Sequence, residues 1–424
     1  MIKILIGTFI ALLLSSLTYA GNGINDFAYG AISAGLGGAD IAINSGAFAL
    51  NINPAALAYT DKTKTEFNVQ PFYYFNSHDD QYGPREDLDP QASAVFGVAH
   101  AHPLKDSGFT LGLGLFAQGG VGFTYKDINT AFGNEDTVSS SFGSFKLQSA
   151  LAWESLDGRL RLGGAFGFLY SEAAQELFPD TSVDDGNGNV FYGIKVDGVS
   201  GESFSSRIGF QYDIDPVLTV GASYATDSEI KLEDGYAVLD QSASGFGKVR
   251  YNNASIKGLN IASDFGVGLA YRGFDKWTVS ADYKIVMWSK AMKSSVLNLS
   301  EPVSPAATDS ELSYKSVLDW RDQKVIAIGA QYRINDFSNL YLGYNYGRNP
   351  LPESRTDPLL AVTAEEHFTI GYSNKITQDI EVVGTYIYQP PVKVVYTNES
   401  LPYGENAENR WEVMVAQLML VYRW

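Results

Sequence analysis

The stretch FKLQSALAWESLDGRLRLGGAFGFLY, Phe145 to Tyr170, decides how the chain is read. Phe145, Leu147, Ser149, Leu151 and Trp153 alternate with Lys146, Gln148, Ala150, Ala152 and Glu154. After Ser155–Arg159, Leu160, Leu162, Gly164, Phe166, Phe168 and Tyr170 alternate with Arg161, Gly163, Ala165 and Gly167. A period of two means strands with one apolar face and one polar or small face. The Asp-Gly pair between them is turn chemistry.

Working outward, the same alternation recurs at Phe204–Asp213 and Trp277–Met287. Fourteen strands are predicted in all, near 66–75, 92–102, 108–118, 142–154, 160–170, 203–212, 218–225, 263–271, 277–288, 324–333, 340–346, 367–373, 380–388 and 412–424. Their connections are sorted by length. Pro103–Ser107, Ser155–Arg159, Asp213–Val217, Arg272–Lys276, Ile334–Asn339 and Asn374–Asp379 are short; those between are long, as in Asp227–Ala262 and Ser289–Gln323. A soluble sandwich has no reason to sort loops by parity. A 14-stranded antiparallel transmembrane β-barrel does, with short periplasmic turns and long outer loops. Closure also leaves no strand edge unpaired.

The chain ends on Trp424 after alternating Leu418, Leu420 and Tyr422, a closing strand with a terminal aromatic residue. At the other end, Lys3, the apolar run Ile4–Leu14 and Thr18-Tyr19-Ala20 read as a secretory signal cut after Ala20. That run is shorter than the ~20 residues of a spanning helix. The 424 residues include 26 Tyr, 24 Phe and 42 Gly, which suits aromatic girdles and tight turns. There is no cysteine, which excludes disulfides, Cys-bound metals and thiol nucleophiles. A net charge of −18 argues against nucleic acid as a partner.

Between signal and first strand lies YGAISAGLGGADIAINSGAFALNINPAALAY, Tyr29–Tyr59, small-residue-rich, nearly uncharged and without a regular period. With the residues around it, the stretch 21–62 runs to about 40 residues, too long for a linker. Three regions are expected: signal peptide 1–20, an N-terminal plug 21–62 in the lumen, and the barrel 63–424. Within the plug, Pro54 biases Asn53 out of the helical region, so Asn53 should cap a helical turn over Ala55–Ala58.

The run Gly35-Leu36-Gly37, the triplet Asn53-Pro54-Ala55 and fourteen following strands resemble the FadL/TodX family. These are outer-membrane transporters of long-chain fatty acids and of aromatic or aliphatic hydrocarbons. Trp277–Trp288, Val325–Arg333, Tyr341–Tyr346 and Val382–Pro391 are similar to the family's later strands. The resemblance implies that the N-terminal domain is a hatch and that Asn53, Pro54 and Ala55 form its gate; the alternative for the triplet is a packing turn in a static plug. It implies an inward kink in the third strand, where Gly112, Gly114, Gly119 and Gly120 fall. Glycines permit bends, and they also serve as small lumen-facing residues.

One departure bears on cargo. Family members for fatty acids carry a basic residue shortly after the Tyr ending the fifth strand; here Tyr170 leads into SEAAQELF, with Leu177 at the equivalent position. Leu177 and Phe178 are expected to line an apolar groove, while Lys315 and Arg321 are candidate carboxylate partners or else solvated loop charges. Lys146, Glu154, Arg161, Arg207, Asp264, Asp282 and Lys284 have inward parity and should hold the plug by mutual neutralisation. His100 and His102 share a strand face but have no third metal ligand nearby. The acidic loop Thr181–Val190 lacks the closing Glu of a calcium loop.

The expected function is outer-membrane transport of a hydrophobic small molecule, without cofactor, metal or catalysis. The outer-membrane lipids and lipopolysaccharide are the expected surroundings of a monomer. A general porin and a surface adhesin or enzyme are the competing readings.

Overall fold

The computed structural model describes residues 21–424 apart from 84, 88–90, 304–306, 359 and 361–363; the expected signal peptide lies outside the described residues. Among these, fourteen antiparallel strands close into a ring. They are β1 (Lys64–Tyr74), β2 (Gln91–Pro103), β3 (Phe109–Asn129), β4 (Glu135–Glu154), β5 (Leu160–Asp184), β6 (Val190–Asp213) and β7 (Leu218–Ala225). The second half is β8 (Asp264–Phe274), β9 (Trp277–Val286), β10 (Gln323–Arg333), β11 (Ser338–Gly347), β12 (Glu366–Lys375), β13 (Ile380–Tyr388) and β14 (Val413–Arg423). Each pairs with its sequence neighbour, and β1 pairs back onto β14 with Lys64 opposite Arg423. Every one overlaps a segment predicted from alternation.

The distribution of polarity is inverted relative to a soluble barrel. Leu113, Leu147, Ile328 and Leu418 point outward at 48–52% exposure, whereas Gln148, Gln211, Asn345 and Gln417 point inward at 0%. An outer apolar belt is stable only against lipid. Among the described residues no helix is long and apolar enough to cross a membrane; the strands do so.

Strands β3 to β6 run 20 to 25 residues, about twice what a bilayer requires. Their far halves stand on the long-loop side. There they are joined by two hairpins, Lys231–Asp240 with Lys248–Lys257 and Ser294–Pro302 with Glu311–Val317. The alternation reading assigns these stretches to loops. Register shifts at Gly235 break the period in the first hairpin. A separate sheet of Ser77–Asp79, Glu86–Asp87, Val392–Tyr396 and Ala407–Trp411 lies on the same side.

Residues 21–62 form a short helix (Ala31–Gly35) and two 3-10 turns (Ala47–Asn51, Pro54–Tyr59). The strands bond to them from all around the ring. Thr385 on β13 donates to Ala31 O (2.6 Å), Asn345 on β11 to Gly37 O (3.0 Å) and Ser280 on β9 to Ala39 O (2.6 Å). Glu66 on β1 accepts from Ala47 N (2.8 Å), and Lys146 on β4 donates to Asn51 Oδ1 (2.9 Å). A segment bonded to strands on every side of a closed ring lies inside it. The plug fills the lumen.

Candidate functional site

Asn53 caps its turn as its place before Pro54 requires. Its backbone is extended, and its Oδ1 accepts from Ala55 N at 3.1 Å. Its Nδ2 donates to Ile41 O (2.7 Å) within the plug and to Phe210 O (3.0 Å) in the wall. Two glycines, opposite one another in the β5–β6 register, make the seat. A Cβ on Gly209 would lie 1.9 Å from Asn53 Oδ1, and one on Gly163 would lie 2.3 Å from Ala55 N. The alternation reading notes both glycines only as inward-parity positions; two such glycines on neighbouring strands were the available signal for a close backbone approach.

The inward charges surround the same segment. Arg161 lies 3.7 Å from the Tyr59 ring centroid and is paired with Glu154 and Asp213. Arg207 binds both oxygens of Asp264 (2.9 and 2.6 Å) and donates to Ile52 O. Asp282 accepts from Ile41 N, and Lys284 donates to Gly38 O. Charges buried and paired in this way fix geometry more than they add stability.

A different arrangement holds at β3. Its ladder with β2 runs from Pro103 opposite Thr110 to Gly97 opposite Phe116 and stops. Beyond that point β2 stays paired with β1, up to Gln91 opposite Tyr74, while β3 stays paired with β4 after a register shift between Ala117 and Gly119. The free edge of β3 turns to the plug. Gly120 N donates to Ile24 O (2.9 Å), Asn25 and Gly119 form a bridge, and a Cβ on Gly119 would lie 2.1 Å from Ile24 O. Gly112 and Gly114 lie below the break in unbroken register, where their missing side chains make room for Leu57 and Leu50. Of the four glycines expected at the kink, Gly119 and Gly120 sit at the break itself.

The gap between β2 and β3 is bordered by Phe116, with Tyr29 and Phe48 of the plug at ring-centroid distances of 5.7 and 6.3 Å. On the outer wall beside it, a concavity of about 560 Å³ is lined by Phe67, Phe96, Val98, Leu115, Leu418 and Leu420, among others.

Above the plug, one buried apolar cluster joins Ile24 and Phe27 to Val121 and Phe123 of β3, to Trp288 and Trp320, and on to Phe178. Trp288 lies so close to Gly23 that a Cβ there would come within 2.6 Å of the indole. Leu177 packs partly buried against this cluster; Phe178 is fully buried in it with φ +46. Lys315 and Arg321 are both exposed and are not members of the cluster.

On its other side the N-terminal segment borders a polar cavity of about 60 Å³, lined by Asn25, Asp26, Gln118, Arg207, Asp264 and Lys284, among others. Burial there pushes the Asp26 carboxyl up to about 7. Apolar and polar surfaces thus meet at residues 24–27, beside the break. His100 and His102 lie elsewhere, with Nδ1 atoms 2.9 and 2.8 Å from Thr65 and Thr63. The tip at Asp185 is an Asx turn, its Oδ1 accepting from Asn187 N (2.7 Å).

A family model described as outer membrane protein transport protein (OMPP1/FadL/TodX) matches residues 11–418. Among solved structures, the P. putida toluene transporter TodX is similar at TM-score 0.76 and 17% identity, over 94% of this chain and 99% of that one. The Ralstonia pickettii toluene transporter TbuX is similar at 0.72 and 19%, over 94% and 98%. A Pseudomonas aeruginosa FadL homologue is similar at 0.74 and 14%, over 96% and 99%. Among curated protein sequences none matches.

Proposed function

Because the chain belongs to the outer membrane protein transport family (OMPP1/FadL/TodX), we propose that it carries hydrophobic small molecules passively across the outer membrane, by way of a movable plug and a side exit through the wall. The observation that carries this reading is the broken β2–β3 ladder. The break lies where the apolar cluster reaches the plug's first residues. An apolar molecule that has entered the cluster meets charged, hydrogen-bonded groups towards the lumen and an apolar gap towards the wall. Burial of roughly 0.8 kcal/mol per methylene draws it in, and no cofactor or energy source is required. The toluene transporters among the similar structures support a cargo of this class.

Asn53-Pro54-Ala55 is the fixed hinge end of the gate in this reading, and Leu177 and Phe178 belong to the entry route. Lys315 and Arg321, exposed as they are, could meet a carboxylate only outside the cluster, which favours neutral cargo. A general porin fits poorly with a plug bonded to strands around the whole ring. The closed ring of a single chain fits a monomer surrounded by lipid and lipopolysaccharide.

Liposomes carrying the purified protein test the reading. Uptake of a labelled alkane with exclusion of a sugar such as arabinose is expected; sugar flux without alkane uptake would overturn it.

A further inference from the structure

On the long-loop side, the sheet containing Val392–Tyr396 and Ala407–Trp411 encloses a group of polar atoms that the plug contacts do not use. Tyr74, Phe123 and Trp411 meet edge to face, with centroids 5.2 to 5.8 Å apart. Tyr403 packs on His78 (4.9 Å) and Phe178 (6.1 Å). Beside them is a cavity of about 10 Å³, lined by Asn76, Phe123, Tyr125, Pro358, Asn409 and Trp411, with Arg410 at its edge. Such a volume admits one oxygen-sized group.

Two donors of its lining residues, Trp411 Nε1 and Asn409 Nδ2, have no hydrogen-bond partner, and neither do the nearby hydroxyls of Tyr396 and Tyr403, although all four residues are at most 5% exposed. Asn409 Oδ1 is already engaged by His78 Nδ1 at 2.8 Å. An indole N–H can only donate, and a buried donor left unmade is costly. Something with an acceptor belongs there.

The surrounding charges say what kind. Arg410, the cation at the cavity, is held by Glu412 (3.0 Å), and Asp80 lies against His78 (3.1 Å). Burial first, and then the charges of Asp357 and Asp80 among others, hold the Tyr403 phenol well above its usual range, so it stays a neutral donor. An anionic head would face two carboxylates and a cation already paired. We propose that this aromatic pocket receives neutral apolar molecules bearing a carbonyl oxygen, such as ketones and esters, in preference to both alkanes and carboxylates. The oxygen takes the hydrogen bonds of Trp411 and Asn409. The tail lies in the apolar cluster that continues through Phe123 and Val121 to Ile24. The proposal rests on the transport reading above and narrows its cargo.

The test is equilibrium binding of labelled 2-undecanone, undecane and undecanoate to the full chain in nanodiscs, corrected for partition into empty discs. The intact protein should rank the ketone first. Trp411→Phe should weaken ketone binding about 5-fold and leave undecane within about twofold; Tyr403→Phe, which keeps the ring, should act in the same direction. An unchanged ketone-to-alkane ratio in both variants would mean that ordered water alone satisfies the donors, and would overturn the proposal. So would a preference for undecanoate. Binding of undecane with no ketone preference sinks only this proposal, whereas binding of none of the three sinks the transport reading too.

Discussion

The two ends of the plug are held in opposite ways. At Asn53–Tyr59 the segment sits in a two-glycine dent of β5 and β6, bonded by the Asn53 amide and ringed by Arg161, Arg207 and their acids. At Gly21–Phe27 it rests on the free edge of β3 through Gly119 and Gly120, with apolar contacts above and a polar cavity below. One end is fixed by bonds that would have to be replaced before it could leave. The other is held by a strand edge whose own neighbour has gone. In the proposed transport cycle, movement belongs to the first residues and to the wall beside them.

The contrast breaks most easily at the seat. Gly209→Val should be the most damaging change, because its Cβ falls on Asn53 Oδ1 and overpacking of this kind costs about 1–3 kcal/mol or more. A lower thermal midpoint and the appearance of sugar leak in liposome swelling are expected; a tight, stable variant would mean that the seat is loose. Asn53→Ala removes the cap and two donated bonds, worth about 1–2 kcal/mol. Hydrocarbon uptake should fall several-fold while the circular dichroism of the barrel stays unchanged. Uptake at the unaltered rate would reduce the triplet to a packing turn.

The smallest effect concerns the other end. Asp26 has a folded pKa near 7, above that of an exposed carboxyl. Between about pH 4 and 7 the folded chain therefore holds a proton that the unfolded chain has released. Its contribution favours folding below that window and is lost as pH rises through it. The thermal midpoint should fall by on the order of 2 °C from pH 5 to 8, and Asp26→Asn should flatten that slope. An equal slope in both proteins would remove Asp26 from the account.

Much of the barrel was legible in the sequence because lipid enforces a strict period of two. Phe145–Glu154 and Leu160–Tyr170 each carry it without interruption, and each of the fourteen strands follows. The outer hairpins escaped because they stand clear of the bilayer, where bulges such as that at Gly235 are tolerated and the period lapses. The cap at Asn53 could be read because Pro54 dictates it locally. Its seat could not, since Gly163 and Gly209 lie 46 residues apart in sequence and meet only through strand register. The stop of the β2–β3 ladder after Phe116 is equally a matter of pairing; the glycines marked the neighbourhood, and the structure separates Gly119 and Gly120 from Gly112 and Gly114. The donors at Trp411 and Asn409 were invisible because nothing in their local pattern distinguishes a satisfied from an unsatisfied side chain.

The side exit is tested most directly by alkane uptake in liposomes carrying Gly119→Val, set against Gly164→Val, where an added Cβ would meet nothing within 4 Å. A wall opening at β3 predicts uptake reduced about tenfold or more in Gly119→Val and unchanged in Gly164→Val, with the circular dichroism of both barrels unchanged. Full uptake through Gly119→Val would contradict it.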